Sequence, residues 1–190
     1  MYRNSAEYDR LDKMAIEIYV DYGIKSFPLD EKELCKNMGI ELIPYSSYEV
    51  KERDLLKKCS LYGFWSLLPE SYTPVIFYND NITELHSPAT IKQTIRHEIK
   101  HILDLDKKEN PIDDDLAEHF GRYLAAPVPY LVAKRITNTN VIISTFEVSA
   151  TMAGYISSAV TNRIKKHGYK IFDYEKPLLK LFGLDTTCNG

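Results

Sequence analysis

Strand-forming and helix-forming patterns occupy separate parts of this chain of 190 residues. The runs rich in β-branched and aromatic residues all lie before Asn81, and they cover residues 40–43, 60–68 and 74–78. From Ser87 onwards the apolar residues recur every three or four positions, as they do in amphipathic helices. This separation favours an α+β fold, in which a small, largely antiparallel three-stranded sheet packs beside helices.

Caps and periodicity together predict the helices. They cover residues 6–22, 29–38, 88–105, 111–126, 130–136 and 144–166, with a helical turn at 54–59. Ser87-Pro88 is the clearest start signal, because serine caps a helix and proline fits its first position. The tail at 176–190 shows no strong pattern. Since no repeat or linker interrupts the chain, we expect a single domain over residues 1–190.

Charge and cysteine content narrow the functional classes. The chain has 24 Lys and Arg against 27 Asp and Glu, a formal net charge of −3, so no overall basic field attracts nucleic acid. Cys35, Cys59 and Cys188 are odd in number and widely spaced, which favours reduced thiols. The sequence has no signal-peptide pattern and no long apolar segment. We therefore expect a cytoplasmic protein that contacts neither nucleic acid nor membrane directly.

An HExxH sequence at residues 97–101 lies in the middle of the helix predicted for residues 88–105. Residues four apart share one face of a helix, so His97 and His101 can reach the same ion. Glu98 points about 100° away, which places it beside a water bound to that ion. The pattern is typical of a zinc site with two histidine ligands and a glutamate general base. The alternative interpretation is a pair of solvated histidines.

A catalytic zinc ion has three protein ligands and one open position for water. The next predicted helix carries two acidic candidates for the third ligand, Asp114 and Glu118, which lie four residues apart. Gly121 and Ala125 continue the same stripe, and their small size lets this helix approach the histidines. An acidic first turn also occurs without a metal, because it compensates the helix dipole. The residues alone leave both carboxylates as alternatives.

Three segments of the chain together resemble the ImmA/IrrE family of metallopeptidases. They read HEIKH at 97–101, DDDLAEHFGRYLAAP at 113–127 and FEVSATMAGYISSAVTNRIKKHG at 146–168, and a β-prone stretch at 75–78 precedes them. The resemblance covers about residues 29–168, with the helix at 6–22 and the tail at 176–190 appended. It implies a mainly helical, zincin-like domain whose small sheet packs beside the HExxH helix.

The resemblance also implies roles for individual residues. His97 and His101 become ligands of one Zn²⁺ per chain, and Glu98 becomes the general base. The third ligand of the family is a glutamate three residues before an alanine and six before a phenylalanine, a position that Asp114 occupies here. Glu118 then orients a ligand histidine, or replaces Asp114 as the ligand because aspartate is one methylene shorter.

Two further expectations follow from the same resemblance. Lys100 stands where the family commonly has glycine, and on a helical wheel it points away from the ion. In zincins a substrate strand pairs with an edge of the sheet, and we expect that edge at Val75, Ile76 and Phe77.

The resemblance implies a zinc-dependent endopeptidase that cleaves a protein substrate, namely a helix-turn-helix repressor of a mobile element or stress regulon. Two other functions compete with this one. The chain is alternatively a non-catalytic regulator that keeps the zincin fold and binds a transcription factor without cleaving it. A third possibility is a structural or toxin-like component of a mobile element that holds no metal. Glu98 argues against a pure binding module, because such a module needs no general base.

Overall fold

The computed structural model describes residues 5–83, 86–104 and 114–184. These residues form nine α-helices and one three-stranded sheet, which confirms the α+β class. The helices are α1 (Ser5–Asp21), α2 (Glu31–Asn37), α3 (Val50–Cys59), α4 (Pro88–Leu103), α5 (Asp114–Ala125), α6 (Val128–Ala133), α7 (Thr139–Phe146), α8 (Ala150–His167) and α9 (Lys176–Leu181). The strands are β1 (Glu41–Pro44), β2 (Gly63–Leu67) and β3 (Pro74–Tyr78).

The contacts within the chain form two compact units, one of residues 30–117 and one of residues 1–29 with 118–190. The sheet and α4 belong to the first unit, and so does the first turn of α5. The single-domain expectation stays a prediction.

The sheet has the strand order β1, β3, β2. β2 and β3 pair antiparallel, and Phe64 lies opposite Phe77. β1 pairs with β3 in parallel, and Ile43 lies opposite Phe77 on that side. The connection through α3 takes the chain from β1 to the other edge, so that β3 inserts between the two earlier strands. The sheet is therefore mixed, with one antiparallel pairing and one parallel pairing.

The prediction that Val75, Ile76 and Phe77 offer a free edge to a substrate is wrong. Both backbone edges of β3 are occupied, one by β1 and the other by β2. Sequence patterning does not reveal this, because a central strand and a covered edge strand both appear as short apolar runs. Among the described strands, the outer ones with an open side are β1 and β2.

Gly63 lets β2 contact β3 and α4 at the same time. A β-carbon on this residue would lie 2.7 Å from the carbonyl oxygen of Phe77 and 2.8 Å from Cγ2 of Thr94. Nonbonded atoms do not approach this closely, so any larger residue must push the strand or the helix away. The absence of a side chain here fixes the distance between the edge strand and the HExxH helix.

We expect Gly63→Ala to lower the free energy of unfolding by about 1–3 kcal/mol, the usual cost of overpacking. Urea denaturation followed by circular dichroism measures this change. Gly154→Ala is the matched control, because apart from its chain neighbours and the backbone of α8 no atom lies within 4 Å of the β-carbon position at this residue. The control should stabilise the chain by up to about 1 kcal/mol, since alanine is the better helix former. Equal effects of the two substitutions would contradict the packing argument.

In the second unit α1 packs against α9. The Tyr19 hydroxyl donates a hydrogen bond of 2.7 Å to the carbonyl oxygen of Leu124, and His119 Nε2 lies 2.7 Å from Asp12 Oδ1. Helices α6 to α9 supply the apolar core, in which the fully buried side chains include Leu131, Val132, Ile142, Val160 and Leu179. The two ends of the chain therefore build one core together.

The helix predicted for residues 144–166 is in fact two helices, α7 and α8. Glu147 breaks the helical path with a left-handed backbone, φ 50°. Ser149 then caps α8 by accepting a hydrogen bond of 3.2 Å from the Met152 N–H. Val148 is buried between them, so the apolar periodicity continues across the break and hides it.

Helix α9 lies in the tail for which the sequence shows no strong pattern. Its Leu178 and Leu179 are completely buried. A helix of six residues has fewer than two turns, which is too short for a periodic signal.

A buried ion pair joins α8 to the 3₁₀ turn at 173–175 that precedes α9. Arg163 donates from Nη1 to Oε1 of Glu175 over 2.8 Å and from Nη2 to Oε2 over 3.0 Å. Glu175 is 0% exposed, and it also accepts a hydrogen bond of 2.7 Å from the Phe172 N–H. The guanidinium lies 4.0 Å from the centre of the Phe172 ring. Both charges are thus desolvated and paired.

Candidate metal centre

The HExxH sequence lies within α4, as predicted, but in the second half of this helix rather than in its middle. Ser87 caps this helix by accepting a hydrogen bond of 3.2 Å from the Thr90 N–H, and Pro88 is its first residue. α4 contacts β2 and β3, so the sheet packs beside the HExxH helix. The N-cap sets where the helix begins, and the sheet covers one of its faces. Together they determine the direction in which His97 and His101 project.

The structure brings His97, His101 and Asp114 together. The two Nε2 atoms are 3.1 Å apart, and each lies 3.7 Å from Oδ1 of Asp114. Two ligand atoms bound to a tetrahedral zinc ion at about 2.1 Å are separated by about 3.4 Å. The observed spacings lie on either side of this value, so the group fits a zinc ion with little movement.

The three side chains of this group differ in their exposure to solvent. The side chain of His101 is 8% exposed and that of His97 18%, whereas that of Asp114 is 75% exposed. The two histidines are therefore mostly buried, whereas the aspartate is open to solvent. Solvent therefore reaches this group from the side of Asp114.

Glu98 is 8% exposed and lies beside this group. The pKa of Glu98 is raised to about 7, mainly because the carboxyl group is buried; His97 and the Trp65 backbone N–H lower it, and the charge of Asp114 makes a smaller raising contribution. A bound cation would lower the same pKa, because positive charge favours the carboxylate.

Burial also lowers the pKa of His101 to about 4, with smaller contributions from the charges of His97 and Lys100. The imidazole is therefore neutral at physiological pH. Neutral imidazole is the form that binds metal ions, so no proton has to be displaced from His101 before coordination.

Glu118 does not belong to the cluster of potential ligand atoms found in the described residues. Its Oε2 lies 3.6 Å from Nη1 of Arg122, one turn further along α5. Asp114 groups with both histidines, and this grouping favours Asp114 as the third ligand. The assignment stays a prediction, and so does the orienting role of Glu118.

Two buried cations of α4 have no role in the sequence-based interpretation of the site. Arg96 is 1% exposed and Lys100 is 2% exposed, and each directly precedes a candidate ligand histidine. The Nζ of Lys100 lies 2.9 Å from Oδ2 of Asp104. The spacing of four residues between Lys100 and Asp104 is the one signal in the sequence that indicates this pair.

Comparisons of the chain with protein-family models, with curated proteins and with solved structures gave no match. No helix within residues 5–83, 86–104 and 114–184 is both long enough and apolar enough to cross a membrane.

Proposed function

We propose that this chain is a zinc-dependent endopeptidase. The observation that carries the proposal is the cluster of His97, His101 and Asp114 beside the buried carboxyl group of Glu98. The ligand types suit zinc, since two imidazoles and one carboxylate form a common catalytic set. The resemblance to the ImmA/IrrE family adds the substrate class, a helix-turn-helix repressor, and the cysteine pattern adds a cytoplasmic setting.

The chemistry requires few groups. Nε2 of His97, Nε2 of His101 and Oδ1 of Asp114 would hold the ion, which when bound supplies a Lewis acid that acidifies water and polarises the peptide carbonyl. Glu98 accepts a proton from the attacking water while the water oxygen bonds to the carbonyl carbon. The same carboxyl group then delivers this proton to the leaving nitrogen. One water is consumed and one C–N bond is broken.

β2 replaces β3 as the proposed strand for substrate pairing. The Asn79 N–H donates to the Tyr62 carbonyl oxygen over 2.8 Å, and the Leu68 N–H donates to the Thr73 carbonyl oxygen over 3.0 Å. Backbone groups alternate along an antiparallel strand, so Trp65 directs its N–H away from β3. The influence of that N–H on the Glu98 carboxyl group agrees with this direction. An extended substrate along this edge would pass beside the proposed general base.

Metal content tests the proposed ligand set. We expect about one zinc per wild-type chain by elemental analysis, in line with a three-ligand site. Asp114→Ala should lose most of this zinc, because Asp114 is the one carboxylate that groups with both histidines within the part of the chain that the structure describes. Glu118→Ala should retain it. The reverse result would move the third ligand to Glu118, and a wild-type chain without zinc would refute the proposed function.

A further inference from the structure

Charged residues line the buried side of α4 that adjoins the candidate ligands. Lys92, Arg96 and Lys100 recur every four residues and therefore form one row along the helix. Arg96 and Lys100 are among the largest fully buried side chains in the described residues. Lysine and arginine are rarely buried in this way unless they are paired.

Each buried cation has an acidic partner. Nε of Arg96 lies 3.5 Å from Oε1 of Glu31, the first residue of α2, and the side chain of Glu31 is 5% exposed. Nε of Arg96 also donates to the Lys92 carbonyl oxygen over 3.1 Å. The ion pair therefore joins α4 to α2, since it links a side chain on each helix.

The second pair lies at the end of α4. Asp104 is the residue that follows the helix, and its side chain is 13% exposed. A carboxylate is unfavourable at this end, because the helix dipole is negative there. The ammonium group of Lys100, 2.9 Å away, compensates both the carboxylate and the dipole. Lys100 thus stabilises the last turn of the helix, which contains His101.

These pairs restrict how α4 can move. A rotation or a shift of the helix would separate a buried charge from its partner, and an unpaired buried charge is strongly destabilising. Successive residues of a helix are related by a rise of 1.5 Å and a rotation of 100°. A cation that is held in place therefore also fixes the position of the histidine that follows it. Arg96 restrains His97 in this way, and Lys100 restrains His101.

We propose that Arg96 and Lys100 are positioning residues, which hold His97 and His101 in the metal-binding arrangement before the ion arrives. This inference rests on the proposed metal site. The spacing of 3.1 Å between the two Nε2 atoms is what such preorganisation should produce. Lys100 therefore has a specific task in this chain, at a position where a glycine would leave Asp104 without this cation.

Lys100→Met tests the inference, because it keeps the volume of the side chain and removes its charge. We expect the dissociation constant for Zn²⁺, measured by competition with a chromophoric chelator, to rise on the order of 10- to 100-fold. The visible spectrum of the Co²⁺-loaded variant should also differ from that of the wild type, since it reports the geometry of the ligands.

Two further variants separate positioning from general stability. Lys100→Met combined with Asp104→Asn leaves neither charge of this pair, so it should fold well and still bind Zn²⁺ more weakly than the wild type. Arg163→Met removes a buried cation from the unit that does not contain His97 and His101. It should lower the unfolding temperature without changing the zinc affinity of the folded chain. All variants are measured below the temperature at which circular dichroism shows unfolding.

The outcomes distinguish this inference from the proposed function. Weaker zinc binding and an altered Co²⁺ spectrum in both Lys100 variants, with normal values for Arg163→Met, would support positioning. Wild-type affinity in either Lys100 variant would overturn it and leave the metal site intact. Equal losses of affinity in Arg163→Met would also overturn it, because stability alone would then explain the effect. A wild-type chain that binds no zinc would refute the proposed function itself.

Discussion

Glu98→Gln should lower the rate of peptide hydrolysis by about 10²–10⁴-fold while one zinc per chain is retained. Glutamine has nearly the same shape as glutamate but cannot accept a proton from water. The ligand atoms of His97, His101 and Asp114 are unchanged, so metal content should be unaffected. Cleavage of a library of peptides derived from a bacterial proteome, read by mass spectrometry, measures the loss without knowledge of the natural substrate.

Glu70→Gln is the control for this experiment, because Glu70 is exposed in the turn between β2 and β3. It should cleave the peptide library like the wild type. Undiminished cleavage by the Glu98 variant would remove Glu98 from the mechanism. A zinc-loaded wild type that cleaves neither the library nor a helix-turn-helix repressor would instead favour the non-catalytic regulator.

Arg163→Met should lower the free energy of unfolding by about 3–5 kcal/mol, the typical cost of leaving a buried charge without its partner. Glu175 is completely buried, and it would lose both hydrogen bonds from the guanidinium. A loss of this size is a large part of the total stability of a domain. Urea denaturation of the metal-free chain measures it.

The double variant Arg163→Met with Glu175→Gln should regain much of that loss. Glutamine removes the unpaired charge and can still accept the hydrogen bond from the Phe172 N–H. Lys176→Met serves as a control for cation removal, since the pair of Lys176 with Asp173 lies at the surface. It should have no measurable effect. If Arg163→Met is equally harmless, the buried pair does not stabilise this unit.

Local signals predict the elements that carry the site. β3 has the predicted bounds, and α4 begins where the Ser87-Pro88 signal places its start. His97 and His101 are four residues apart in sequence, which places them on one face of a helix, so their common direction can be predicted without tertiary information. Asp114 cannot be chosen from the sequence alone, because two carboxylates of the next helix lie on the same stripe. Only the contact with the histidines favours one of them.

The central position of β3 is the clearest failure of sequence-based reasoning. Strand order depends on a connection through α3, and nothing within residues 74–78 records it. The burial of Lys100 is a second case, because a helical wheel shows the direction of a side chain but not what covers it. In both cases the missing information lies in residues that are distant in sequence.

The break between α7 and α8 was within reach of sequence reasoning. Serine is a strong N-cap residue, and Ser149 accepts a hydrogen bond from the N–H of Met152, three residues later. The apolar run through Val148 obscures this signal, since a buried residue in a turn fits the helical period by chance. Cap residues within a long predicted helix therefore indicate a boundary better than hydropathy does.

The two compact units differ in how early they can form during synthesis. Residues 30–117 are continuous, so their contacts become available soon after this segment leaves the ribosome. Helix α1 contacts α9, and these two helices are separated by most of the chain. The apolar face of α1 therefore has no packing partner until α9 has been synthesised. The candidate ligands can therefore assemble in the early unit, while completion of the other unit is the late event of folding.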